Sequence, residues 1–185
     1  MSILSNYASL LRVKRVLPYV KGSVLDLGCG EVPVLRAAGD KIEHYVGVDI
    51  GQERTETLRK TYPQHQFFRC DFDEDPFDFE GKFDTILLIA VIEHIFNQKH
   101  LATELIKKLN PTGRIIITTP TSLGEFVHRI CAGLGLLGRS VANRHIVIFN
   151  KRRFKVLAKH FNLRIEKYHR FCFGCNQMVI LAKKE

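Results

Sequence analysis

The chain has 185 residues, 45% hydrophobic and 25% charged, ordinary values for one globular domain that exclude a disordered, collagenous or disulfide-scaffold protein. Its formal net charge of +9 is uneven: through Pro120 there are 15 Lys and Arg against 16 Asp and Glu, and from Thr121 onward 13 against 3. The last third carries the whole excess, which fits either a solvated basic face or a surface for an anionic partner: nucleic acid, an acidic membrane face or a phosphorylated substrate.

In chain order, residues 2–17 read as an added amphipathic helix, within an N-terminal segment 1–20. Strands are predicted at 23–27, 44–49, 66–70, 83–89 and 114–119. Several are nearly continuous apolar runs, such as Ile86-Leu87-Leu88-Ile89 and Ile115-Ile116-Ile117, as expected for strands covered on both faces. Helices are predicted at 53–60 and at 97–109, the latter ended by Pro111 and Gly113. Near the end, residues 151–161 place Phe154, Leu157, Ala158 and Phe161 on one helical face, with Asn150 as N-cap. Two strand-like runs, 163–168 and 177–183, follow. The short link between them, containing Gly174, predicts an antiparallel hairpin. Strands alternating with helices imply a parallel sheet of βαβ units. The fold class expected is α/β: a Rossmann-like, doubly wound, mostly parallel seven-stranded sheet with a C-terminal antiparallel hairpin and helices on both faces, in a single domain over 1–185.

No apolar run approaches the roughly 18 residues of a spanning helix, and no secretory signal is evident at the N-terminus. Five scattered cysteines fit reduced thiols, so a cytoplasmic location is expected.

The most informative segment is Val24-Leu25-Asp26-Leu27-Gly28-Cys29-Gly30-Glu31. A buried strand runs into Gly-x-Gly, where the missing Cβ atoms allow a tight turn and close approach of a ligand. Asp49 ends the next strand, where an acid can accept hydrogen bonds from both ribose hydroxyls. Together these predict a nucleoside ligand. A dinucleotide fingerprint would place glycine at position 33, but this chain has Pro33, and Glu31 sets a negative charge where phosphates would lie. A nicotinamide-dependent dehydrogenase is therefore disfavoured, and a phosphate-free cationic ligand such as S-adenosylmethionine fits.

On these residues the sequence resembles the class I S-adenosylmethionine-dependent methyltransferases, especially the small-molecule O-methyltransferases of the ubiquinone-biosynthesis type, from about residue 23 to 120. The resemblance implies S-adenosyl-L-methionine as cofactor. It implies that Asp26 orients the methionine end, that Gly28, Cys29 and Gly30 lie against the cofactor, and that Asp49 takes the ribose with Ile50 against the adenine. From Cys70-Asp71-Phe72 it implies that Asp71 accepts from the adenine amino group and that Phe72 flanks the ring. From the turn Ile89-Ala90-Val91-Ile92-Glu93-His94 it implies backbone contact with the methionine moiety around Ala90. The family commonly has a further glycine where this chain has Val32.

The variable block 121–149 is apolar and glycine-punctuated, with Arg129, Arg139 and Arg144 interleaved. It reads either as a lid over a lipid-like acceptor carrying an anionic group or as a helical insertion packed on the core. Methyl transfer to oxygen needs positioning and a proton acceptor, for which His94 and His145 are the candidates; each also has a structural reading. Glu93 either polarises His94 or caps a helix. Cys172-Phe173-Gly174-Cys175 has CxxC spacing without a second pair, which favours turn packing over zinc or redox chemistry. The acidic run Asp71, Asp73, Glu74, Asp75 and Asp78 reads as an exposed loop face rather than a magnesium site. No metal is expected.

The function expected is methyl transfer to a small or lipid-like acceptor, on a hydroxyl oxygen. An RNA methyltransferase using the basic C-terminal third is the alternative, and a non-catalytic methyltransferase-like binding module is a third reading. Peripheral membrane contact is compatible with all of them.

Overall fold

The computed structural model describes residues 3–133 and 146–184. Helix α1 (Ile3–Val16) precedes β1 (Gly22–Leu27), α2 (Pro33–Ala38), β2 (Ile42–Asp49), α3 (Gln52–Thr61), β3 (Gln66–Arg69) and β4 (Phe83–Ile89). Then follow α4 (Gln98–Lys108), β5 (Leu109–Pro120), α5 (Ser122–Gly133), α6 (Lys151–His160), β6 (Leu163–Phe171) and β7 (Asn176–Lys183). The seven strands form one sheet in the order β3-β2-β1-β4-β5-β7-β6. Strands β1 to β5 are parallel, and β7 runs antiparallel between β5 and β6.

Alternation along the strands divides the core into two layers. Leu25, Leu27, Ile86, Leu88, Ile115, Ile117, Val179 and Leu181 face α4 and α6, meeting Leu101, Leu105, Phe154 and Ala158. Val24, Leu87, Ile116 and Ile180 face the other way onto α1, α2 and α3, meeting Val13, Val16, Val34, Leu35 and Leu58. Both faces are thus covered, which is why the central strands are apolar without interruption.

The expected fold class is the observed one, with differences at three elements. Strand β5 begins at Leu109 rather than 114 and carries Pro111 and Gly113 within it; Leu109 pairs with Phe83 across a register irregularity. The six-residue α2 is too short to show a helical period. Helix α5 occupies the first part of the variable block. Asn150 caps α6 as expected, its side chain accepting from Arg153 N–H. The CxxC segment is the turn between β6 and β7, with Cys175 N–H donating to Cys172 O at 2.9 Å and Cys172, Phe173 and Gly174 all at positive φ.

Candidate functional site

Because β1 and β4 lie side by side while the chain passes through β2 and β3 between them, the sheet reverses direction at β1. In open α/β sheets ligands bind at the carboxyl edge beside such a reversal, where the loops leaving the two strands run to opposite faces. That edge gathers most of the residues singled out from sequence: Gly28, Cys29 and Gly30 after β1, Asp49 and Ile50 at the end of β2, Asp71 and Phe72 after β3, and Ala90 after β4.

The glycine loop is fixed by the neighbouring strand. The Gly28 and Cys29 amides both donate to Val48 O, at 2.8 and 3.1 Å. Gly28 has φ +69°, and a Cβ there would lie 2.5 Å from Val91 Cγ2, so both backbone and space require glycine. Val32 follows at φ 49°, ψ 45°, a left-handed conformation that a β-branched residue rarely adopts. It is buried and opens α2, with Pro33 at the first helical position. The position where the resemblance implies glycine therefore keeps the glycine conformation.

Asp49 is 5% exposed and is the hub of the edge. Its Oδ2 accepts from Gly30 N–H at 3.2 Å, and its Oδ1 accepts from Gly51 N–H at 3.0 Å and from Arg54 Nη1 at 2.9 Å. Arg54 also approaches Glu31 at 4.0 Å. The sequence reading passed over Arg54; its one signal was its place in the first turn of α3, five residues after Asp49.

Asp26 lies inside the sheet and accepts the Tyr45 hydroxyl at 2.7 Å. Burial raises its carboxyl to about 7, with the Tyr45 hydrogen bond opposing and the nearby Asp49 charge adding to the rise. Cys29 is buried and burial pushes its thiol well up, so it is a packed thiol and not a nucleophile. Ile50 is exposed beside Asp49. Asp71 is half-buried, and its Oδ1 accepts from Asp73 N–H at 3.0 Å. Phe72 is buried and meets Phe77 edge-on, with ring centroids 6.1 Å apart. Ala90 stands at φ 57°, its N–H donating to Thr118 O at 2.8 Å. His94 is half-buried at the end of a short 3-10 turn, Ile92–His94. His145 lies outside the described residues, as do Arg139 and Arg144. Among the described residues no cluster of His, Cys, Asp and Glu is placed to hold a metal, and no helix is long and apolar enough to cross a membrane.

What this edge can do is hold a diol. An aspartate with fixed amide donors beside a glycine loop accepts two hydroxyls without requiring a cation.

Comparison with known proteins shows the family and the fold. Residues 6–168 match the methyltransferase domain family. A "probable S-adenosylmethionine-dependent methyltransferase" of Mycolicibacterium smegmatis is 26% identical over 100 residues, covering 54% of this chain and 38% of that protein. The matched region thus spans less than half the length of this relative. Magnesium protoporphyrin IX methyltransferase from Synechocystis, solved with bound SAH, superposes with a TM-score of 0.73 at 16% identity, covering 100% of this chain and 89% of the other. A chain from the complex of the Haloferax volcanii Trm112 methyltransferase activator with a putative methyltransferase superposes with a TM-score of 0.76 at 14% identity, covering 97% and 91%. At these identities the structural likeness shows the fold.

Proposed function

The chain belongs to the class I S-adenosylmethionine-dependent methyltransferases, and from that premise we propose that it transfers a methyl group from S-adenosylmethionine to a hydroxyl oxygen of a small or lipid-like acceptor. The observation that carries this reading is the Asp49 carboxylate, held by the Gly30 and Gly51 amides at the mouth of a glycine loop whose backbone has no room for a Cβ at Gly28.

The residues present fit the cofactor. Asp49 would take the ribose hydroxyls, and Gly28, Cys29 and Gly30 would lie along the ligand. Asp26 would hold the ammonium of the methionine end, and Ile50, Asp71 and Phe72 would face the adenine. The backbone at Ala90 would meet the methionine moiety. Glu31, exposed at the loop, agrees with a ligand that brings no phosphate. Bound S-adenosylmethionine supplies an electrophilic methyl carbon on a sulfonium. The protein's part is to fix the acceptor oxygen in line with it and to receive a proton, a task for the turn that ends in His94.

A lipid-like acceptor is supported by the surface beyond the site. Helix α5 leaves Leu123, Phe126 and Ile130 exposed near the turn whose Phe173 is 97% exposed. Helix α6 presents Lys151, Arg152, Arg153, Lys155 and Lys159 to solvent, where the charge excess of the last third is concentrated. Exposed apolar side chains on one helix and basic charge on another suit an amphiphile with an anionic group; RNA binding through the same charges is the alternative.

The test is incubation with methyl-labelled S-adenosylmethionine and separate panels of phenols, lipid-linked hydroxyls, amines and RNA. Label in a hydroxyl-derived ether, lost in Asp49→Ala, is expected. Label confined to amines or RNA would overturn the oxygen reading.

A further inference from the structure

Away from the methyl-transfer edge, a trough of about 500 Å³ runs between α1 and the edge strand β6. Strand pairing sets Lys167 and His169 of β6 opposite Ile180 and Met178 of β7, whose side chains lie on the face that meets α1. Beyond α1 that face of β6 is open, and Lys167 and His169 are exposed there. The helix presents Lys14 and Arg15, also exposed, to the same space. The two banks thus come from opposite ends of the chain.

Two contacts span the trough. The Arg15 guanidinium stands 5.9 Å from the centre of the Phe171 ring, toward the carboxyl edge of the sheet. Toward the other edge, Lys167 Nζ donates to the Tyr19 hydroxyl at 2.5 Å and lies 5.1 Å from the centre of that ring. Leu11 and the buried Met178 add apolar lining, and no carboxylate among the described residues lines the space. Lys14, Arg15 and Lys167 therefore converge on one concave surface without a counter-charge. Like charges so gathered repel one another, and an anion set among them relieves the repulsion and is attracted by all three. A concave, partly apolar surface with a few convergent polar groups is the form of a small-molecule site, and such sites span about 300–1,000 Å³.

We propose that this trough binds a phosphate-bearing amphiphile, separately from S-adenosylmethionine. Lys14 and Arg15 on one bank and Lys167 on the other take the phosphate. A guanidinium offers paired donors and an ammonium three, so Lys167 keeps its Tyr19 bond while it donates to the ligand. His169 adds a ring nitrogen beside them, and the carbon chain lies on Leu11 and Met178. The chemistry recognised is a phosphate joined to an apolar body, carried by a free molecule or by a lipid in a bilayer. The inference goes beyond the acceptor reading and uses no residue of the methyl-transfer edge.

The test is calorimetric titration of the full chain with octyl phosphate, kept below micelle formation, against inorganic phosphate and octanol. Wild type should bind octyl phosphate one-to-one and at least about tenfold more tightly than inorganic phosphate, the gain from burying about two methylenes. Lys14→Gln combined with Lys167→Gln should weaken octyl phosphate at least about tenfold, through loss of two charge-assisted contacts, while melting as wild type does. Lys41→Gln combined with Lys60→Gln removes the same charge from exposed positions elsewhere and should leave binding unchanged. Sedimentation with phosphatidic acid vesicles, against phosphatidylcholine vesicles, separates the two sources. Capture lost in the Lys14 and Lys167 variant identifies a bilayer lipid, and binding of octyl phosphate alone identifies a free ligand. No saturable binding of octyl phosphate, affinity no greater than for inorganic phosphate, or equal loss in both double variants would overturn the proposal. So would tighter binding of an RNA oligonucleotide that is lost in the Lys14 and Lys167 variant, which would give the trough to a nucleic-acid backbone.

Discussion

Arg54 Nη1 stands 2.9 Å from Asp49 Oδ1 and occupies an acceptor position that the ribose reading reserves for a hydroxyl. A carboxylate offers about four lone-pair positions, and here Gly30, Gly51 and Arg54 already use three of them. A diol needs two. The amides belong to the backbone and stay, whereas Arg54 is 48% exposed in its side chain and can swing to Glu31, already 4.0 Å away.

Replacing Arg54 by methionine should therefore tighten binding of S-adenosylhomocysteine about two- to fivefold, the size expected of releasing one half-exposed ion pair. The gain should shrink as salt is raised, because salt already weakens the pair. Calorimetric titration of wild type and Arg54→Met at low and high salt checks both points, and weaker binding by the variant would show that Arg54 positions Asp49 instead of competing for it.

Asp26 makes stability depend on pH in a defined direction. Its carboxyl lies at about 7 in the folded protein against a reference of 3.8. Between those values the folded chain holds a proton that the unfolded chain has lost. The contribution of Asp26 to stability is thus greatest below about pH 4, falls by up to about 1.4 kcal/mol per unit as pH rises to about 7, and levels above it, against the opposite slope of Glu104, whose carboxyl is lowered. Glu93, also raised by burial, adds a slope of the same sign. Denaturant melts across this range should show wild type losing stability relative to Asp26→Asn as pH rises from about 4 to about 7.

Val32 holds a left-handed conformation that glycine adopts at little cost. Val32→Gly should be nearly neutral in stability, within about 1 kcal/mol, because relief of backbone strain offsets the lost burial. The same change at Val48, buried in an ordinary strand, should cost about 3 kcal/mol or more. Chemical denaturation of both variants gives the comparison, and equal losses at the two positions would show that Val32 carries no strain.

Gly124 brings α5 against the turn between β6 and β7: a Cβ built there would overlap the Cys175 carbonyl. Gly124→Ala should destabilise the protein by about 1–3 kcal/mol and loosen α5. Raised amide exchange in α5, compared with β1 and β4, is the expected sign.

The fold was largely legible because both sheet faces are covered. Continuous apolar runs such as Ile86 to Ile89 can belong only to buried elements, and their regular alternation with helices dictates a parallel sheet. Helix α5 was legible only as one of two readings of the block 121–149, since the contact of Gly124 with Cys175 that seats it is long-range. Strand β5 was cut short because Pro111 and Gly113 read as the stop of the preceding helix. At the candidate site, Asp49 and the glycine loop could be read from spacing, whereas the partners that shape them could not. Tyr45 reaches Asp26 through strand pairing, and Glu93 meets Thr119 only because β4 and β5 are neighbours. Contacts of that kind leave no periodic trace in a sequence.

The most direct test of the account is calorimetric titration of the purified protein with S-adenosylmethionine, S-adenosylhomocysteine and NAD, with Asp49→Ala alongside. The account predicts saturable one-to-one binding of the two sulfur ligands, weakened at least about fiftyfold in Asp49→Ala by loss of two charge-assisted hydrogen bonds, and no binding of NAD. Absence of binding by either sulfur ligand, or affinity unchanged in Asp49→Ala, would contradict it.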